Sequence, residues 1–162
     1  MLTEAAIEPL AGPEEASQCA QLMVSSEPWI TLKLPFERAV STLIDPAKEV
    51  HVVRDGRGVA GFIVLDMRGL LAGYIQILCV RADCRGKGLG ARLVACAEDR
   101  IFRTSVFICV SSFNPGARRL YERLGFQPVG VLRDLIVAGH DEILLRKSRG
   151  SWAEFLDRTG RP

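Results

Sequence analysis

Apolar and polar positions change period along this chain, and the changes mark its elements. Thr3 to Leu10 reads as a short strand. Pro13 opens a helix at its first turn, with Glu14 and Glu15 near the positive helix end; the helix is predicted to reach Val24. A loop, SSEPWITLKLP, carries an exposed-looking Trp29. Phe36 to Ile44 is predicted as a second short helix, stopped at Asp45-Pro46 because a residue before proline leaves the helical region. Glu49 to Arg54 and Val59 to Asp66 are β-rich runs flanking Asp55-Gly56-Arg57-Gly58, a hairpin signal. Ala72 to Val80 has little polar relief and is predicted as a strand buried on both faces. Gly88 to Phe102 repeats Leu89, Leu93, Ala97 and Ile101 at four-residue spacing, the mark of a helix. Ser105 to Ser111 is a further buried strand. Asn114 caps a helix with Pro115 at its first position, an apolar stripe of Ala117, Leu120, Tyr121 and Leu124, and Gly125 as its stop. Phe126 to Ile136 and Glu142 to Arg146 are the last strands.

The order is strand, two helices, three strands, helix, strand, helix, two strands. Strand–helix–strand crossovers at 72–111 and 105–136 call for helices packed on a sheet, and the hairpin calls for an antiparallel part. The expected class is α/β with a mixed sheet. Residues 1–147 form one domain, and 148–162 a tail in which Ser151 could cap a short helix through Trp152, Phe155 and Leu156.

Composition narrows the function. A chain of 162 residues can bury roughly 70% of its unfolded surface in one core. The 21 basic and 19 acidic residues leave a net charge of +2, no footprint for a duplex nucleic-acid binder. The longest greasy stretch, Leu70 to Val80, contains Gly73 and Gln76 and is about half of the ~20 residues needed to cross a bilayer, so no membrane partner is expected. The opening MLTEAAIEPL has no basic n-region and does not read as a signal peptide. Five cysteines form no CxxC, and with His51 and His140 they suggest no metal site; reduced thiols in a cytoplasmic setting are expected.

The strongest local signal is Arg85-Gly86-Lys87-Gly88-Leu89-Gly90, between a buried strand and an amphipathic helix. Small residues there let backbone approach a ligand, and a helix start offers unpaired N–H groups and positive potential. With Arg85, Lys87 and Arg92, the implied ligand is a phosphate or pyrophosphate. A P-loop fails because Gly88 follows Lys87. A dinucleotide fingerprint fits weakly through Gly86, Gly88 and Ala91, but the next strand ends in Val110, Ser111 and Ser112 without the acid it needs. A glycine turn used only for packing remains open.

At these residues the chain resembles the GNAT superfamily of N-acetyltransferases. Arg-x-x-Gly-x-Gly at 85–90, after the strand ending ILCV (77–80), looks like that family's acetyl-CoA pyrophosphate loop. NPGARRLYERLGF (114–126) looks like its second-half segment, and GHDEILLRK (139–147) like the last strand of small bacterial members. The resemblance implies a twisted mixed sheet with helices on both faces. It implies that backbone amides of Arg85, Gly86, Lys87, Gly88, Leu89, Gly90 and Ala91 hold the pyrophosphate, that Leu78, Cys79 and Val80 pair with the pantetheine arm, and that Asn114 bonds the arm's amides. Tyr121 would give a proton to the departing CoA thiolate. Read from spacing alone, Tyr121 is a residue of an apolar stripe.

The base is less plain. Some members carry a glutamate where this chain has Tyr74, others where it has Cys109, which also reads as a small buried hydrophobe. Glu142, His140 and Asp141 remain as candidates, each equally a solvated loop charge; Glu142 is the expected base. Without the usual glutamate, an acceptor of low amine pKa, or one deprotonated through water and the Glu142 region, is favoured. His51 reads as a surface or edge histidine. Arg118, Arg119 and Arg123 beside Glu122 read as a solvated helix face. Trp29 is either a core anchor or part of an acceptor-site lid.

The resemblance therefore implies acetyl transfer from acetyl-CoA, a co-substrate, to a primary amine of a small molecule or peptide by direct attack, with no metal. A homodimer stays open. Two other classes compete: a non-catalytic acyl-CoA-binding or regulatory domain, and a partner-binding module whose contact is the Trp152/Phe155/Leu156 tail.

Overall fold

The computed structural model describes residues 5–68 and 71–159. The elements follow in the expected order: β1 (Ile7–Pro9), α1 (Pro13–Val24), α2 (Phe36–Leu43), β2 (Lys48–Asp55), β3 (Gly58–Asp66), β4 (Tyr74–Val80), a 3₁₀ turn (Ala82–Cys84), α3 (Leu89–Arg100), β5 (Ser105–Ser111), α4 (Pro115–Arg123), β6 (Gln127–Val137), β7 (His140–Ser148) and α5 (Trp152–Thr159). Seven strands form one sheet in the order β1-β2-β3-β4-β5-β7-β6. The β4–β5 pair is parallel, and the others are antiparallel.

Local chemistry explains the boundaries. Asp55 pairs with Gly58 across a two-residue turn, and the Asp55 carboxylate accepts from the Arg57 N–H at 2.8 Å. Asn114 Oδ1 accepts from the Ala117 N–H at 3.2 Å, and Gly125 leaves α4 with φ 92°. Such a left-handed turn costs glycine little and other residues about 1–2 kcal/mol.

Several expectations are corrected. β1 is confined to Ile7–Pro9, and Thr3 lies outside the described residues. Helix α3 ends at Arg100, because Arg149 donates to the carbonyls of Glu98 and Ile101 and so satisfies groups the last turn leaves open. Phe102 therefore lies beyond the helix. Phe126 precedes β6 rather than starting it, and β7 reaches back to His140 and on to Ser148. Helix α5 forms with a reciprocal cap: Glu154 N–H donates to Ser151 Oγ at 3.2 Å, and Ser151 N–H to Glu154 Oε2 at 2.6 Å. Phe155 is buried against the domain's own Phe102, so of the tail's aromatics it is Trp152 that stays exposed.

The sheet has a core on each face. On one, α1 and α2 cover Val50, Val52, Phe62, Val64, Ile77 and Cys79. On the other, α3 and α4 pack over Ile63, Leu65, Ile75, Val106, Ile108 and Leu145. Ile75 and Ile77 belong to opposite faces although they are two residues apart. Leu65 pairs with Ile75 and Val64 with Ile77, so Gln76 is an extra, unopposed residue. This bulge shifts the pleat by one and exposes Gln76, while apolar residues fill both faces of β4 as expected. Beyond Ile75, β4 parts from β5: their pairing is Tyr74–Phe107 and Ile75–Ile108. The fork that opens there is the key feature for function.

Candidate active site

A cleft of about 540 Å³ lies in the fork, walled by the end of β4, the turn before α3, and α4. Gly86 and Gly88 adopt φ 71° and 83°, and a Cβ at either would meet nothing within 4 Å. Their backbone is bare toward the cleft. Gly88 is also the N-cap of α3, so the next amides have no helical partner and face outward with the helix's positive end. Gly90 is small for another reason: a Cβ there would sit 3.1 Å from Leu120 Cδ2, so it lets α3 approach α4.

Arg85 Nε donates to the Val80 carbonyl at 2.9 Å, tying the loop to the end of β4. Among the expected ligand-binding residues, Leu78, Cys79, Val80, Arg85, Gly86, Gly88, Gly90, Ala91 and Asn114 line the cleft. Two do not. Lys87 points to solvent, and the Leu89 side chain is buried in the core beneath α3, leaving it a backbone role. The Cys79 side chain sits in the α1–α2 core, where burial pushes its thiol up to about 12. Arg123 lines the cleft, although its neighbours gave it the look of a solvated face; its place one turn beyond Leu120 on α4 could have signalled this. Arg118 keeps the solvated role, bonding Glu122 at 2.8 Å. Trp29 is half-buried against the α1–α2 core, the anchor reading, and its exposed part lines the cleft.

Tyr121 projects from α4 into the cleft and is 5% exposed. Burial raises its pKa, so its hydroxyl keeps its proton at neutral pH.

Glu142 is not a solvated loop charge. It is 3% exposed on β7, directly opposite Ser111 of β5, whose Oγ donates to Glu142 Oε1 at 2.6 Å. Burial raises the Glu142 pKa, and the Ser111 bond opposes that rise. Ile143 and Leu145 belong to the α3 side, so the pleat turns Glu142, Ser111 and Cys109 to the opposite face. Tyr74 of β4 lies close enough to Cys109 for each to influence the other's titration. Burial raises the pKa of both groups, the Glu142 charge adds to the rise, and Tyr74 also feels Tyr121. Cys109 is a half-buried free thiol on the same face as Ser111 and Glu142. Glu142 does not line the cleft of Tyr121; Tyr74 is near enough to feel both. His140 stands at the start of β7 with its ring 4.9 Å from Phe113, and the Asp141 side chain accepts from the Asp134 N–H.

His51 belongs elsewhere. It is 4% exposed on an interior strand, not at an edge, and neither ring nitrogen has a hydrogen-bond partner.

A bare glycine turn at a helix start, set at a fork between parallel strands with a tyrosine in the fork, coincides with a match to the acetyltransferase (GNAT) family model over residues 15–126. The chain belongs to the GNAT family. An Agrobacterium fabrum protein named as an acetyltransferase is 34% identical over 88 residues, covering 53% of this chain and 63% of that protein. The Mycobacterium tuberculosis N-alpha-acetyltransferase is 27% identical over 144 residues, covering 84% and 88%. An aminoglycoside 6′-N-acetyltransferase in complex with coenzyme A shares the GNAT fold at TM-score 0.72 and 17% identity, over 90% of this chain and 98% of that one. No described helix is long and apolar enough to cross a membrane, and all five cysteines are free.

Proposed function

We propose that this protein transfers acetyl from acetyl-CoA to a primary amine of a small molecule or peptide by direct attack. The fork carries the reading: it joins bare glycine backbone at a helix start, an unpaired strand edge and a buried tyrosine. The acetyl-CoA pyrophosphate fits the amides from Arg85 to Ala91, since a Cβ at Gly86 or Gly88 would occupy the open space their backbone faces. The pantetheine arm runs along Leu78, Cys79 and Val80, where β4 lacks a β5 partner, and Asn114 bonds its amides.

An amine attacks a thioester only when neutral. Glu142 takes its proton, directly or through a water, as the N–C bond forms. Burial suits this carboxylate to the task by raising its proton affinity. Backbone N–H groups of the strand end at 78–80 receive the developing oxyanion. As the C–S bond breaks, Tyr121 gives its proton to the departing sulfur.

The acceptor we favour is an amine of low pKa. An α-amine, with pKa near ~7.7–8.0, costs about 1 kcal/mol to hold neutral at pH 7, against over ~4 kcal/mol for a lysine-like amine. The N-alpha-acetyltransferase relative supports this choice. The test is thiol release from acetyl-CoA with peptide amino termini, polyamines and aminoglycosides. Turnover led by the peptide is expected. Calorimetric binding of acetyl-CoA without turnover on any amine would favour the non-catalytic reading.

A further inference from the structure

We infer that Ser111 is a positioning residue for the acceptor base: its hydroxyl pins Oε1 of Glu142 and leaves Oε2 to take the amine's proton. The inference rests on the reading of Glu142 as that base. Three observations carry it. Ser111 and Glu142 are directly opposite in the β5–β7 ladder, so the pleat sends both side chains to one face. Both are 3% exposed, so water cannot replace the bond cheaply. The contact is 2.6 Å, the length of a hydroxyl donating to a carboxylate.

A glutamate has three rotatable torsions. Without a fixed partner it would sample several poses, only some of them aimed at the acceptor. One fixed oxygen removes most of that freedom. A hydroxyl has a single proton to give, so it satisfies one carboxylate oxygen and not both. The other titratable groups that sense Glu142 are Tyr74 from β4 and Cys109 from β5, whose proton affinities are raised by burial first and by its charge second. Both are neutral at pH 7, so Ser111 supplies the stabilising contact to the ionised form. Its loss should lift the Glu142 pKa further and loosen its aim.

The experiment follows the Glu142 side-chain carboxyl carbon by NMR in ¹³C-glutamate-labelled protein, with the resonance assigned by its absence in Glu142→Gln. The kcat/KM pH profile is recorded in parallel. Ser111→Ala should move the carboxyl titration and the kcat/KM limb up together by about one to two pH units, the size of a charge-assisted hydrogen bond. Ser111→Thr keeps the donor and should titrate like the parent, while Ser111→Val, its equal in shape, should behave like alanine. That pair isolates the hydroxyl even if the alanine variant folds poorly. Identical titrations in the Thr and Val variants would overturn the inference. A carboxyl titration that moves while the kcat/KM limb stays would remove Glu142 as base, and Ser111's role with it, yet leave acetyl transfer standing. Absence of turnover in the parent protein would instead strike the proposed function, and the NMR titration would still read the Ser111 bond.

Discussion

From β1 to β4 the sheet is a continuous antiparallel ladder with a helix layer on each face; from β4 to β7 it forks, and its polar residues gather on one face. Each half buries a titratable side chain. In the ladder half His51 is buried with no hydrogen-bond partner. In the forked half Glu142 is just as buried but meets Ser111 across the strands, with Tyr74 and Cys109 beside it. Burying a polar group alone is a cost that a core absorbs; burying it with a donor and an opening makes an instrument. The contrast implies a division of labour. Changes in the ladder half should act on stability and spare chemistry, and changes in the fork should do the reverse.

The largest effect tests the ladder. Phe62 is fully buried in the α1–α2 core. Phe62→Ala should cost about 3–5 kcal/mol of unfolding free energy in a denaturant titration. At a temperature where the variant stays folded, its kcat should stay within about twofold, since Phe62 lies outside the cleft. A large fall in kcat there would break the division.

Gly88→Val tests the fork. Valine at φ 83° costs about 1–2 kcal/mol and sets a branched side chain in the open space proposed for the pyrophosphate. Calorimetry should show acetyl-CoA affinity reduced by about 100-fold or more, far beyond the small drop in melting temperature. Gly90 makes a poorer test because its substituent would press on Leu120, mixing packing with binding. Unchanged affinity in Gly88→Val would remove the loop from the binding site.

Tyr121→Phe should lower kcat by about 10²-fold, the scale of general acid catalysis, with acetyl-CoA affinity nearly unchanged. Near-full turnover would make Tyr121 a packing residue of α4, as its spacing alone suggests.

The two halves also differ in what could be read from the chain. The glycine wall of the fork is built from contiguous sequence. Glycines 86 and 88, the Asn114-Pro115 cap and Gly125 act through local backbone rules and were legible, whereas Gly90 serves the packing of α3 on α4. The Ser111–Glu142 pair is assembled by register. Nothing near Ser111 points to Glu142, 31 residues on, until β7 inserts between β5 and β6. Strand order likewise decided His51: alternation placed it in a strand, but its burial depends on β1 closing the edge beside β2. The bulge at Gln76 sends Ile75 and Ile77 to opposite cores, and a single polar residue in an otherwise apolar strand does not reveal which neighbours change face.

His51 gives the smallest effect. Burial lowers its pKa below the ordinary 6.5, and the nearby Arg100 adds to this, while Glu49 opposes it. Its Nε2 lies 3.6 Å from Glu49 Oε2, which is 3.8 Å from Arg100 Nη1, so the carboxylate is shared between two cations once His51 is protonated. The folded protein therefore holds the His51 proton less tightly than the unfolded chain. Where the unfolded state binds more protons, stability rises with pH. The His51 contribution is whole above pH 6.5 and is lost as pH falls from 6.5 through the lower folded-state value. His51→Leu removes this linkage and the two unpaired nitrogens. Its melting temperature should match or exceed the parent's at pH 7. The gap should widen toward pH 5, by about 2–4 °C for each kcal/mol, with kcat/KM at pH 7 unchanged. A gap that narrows as pH falls would show that His51 gains a partner on protonation, and the ladder half would then hold a working polar group of its own.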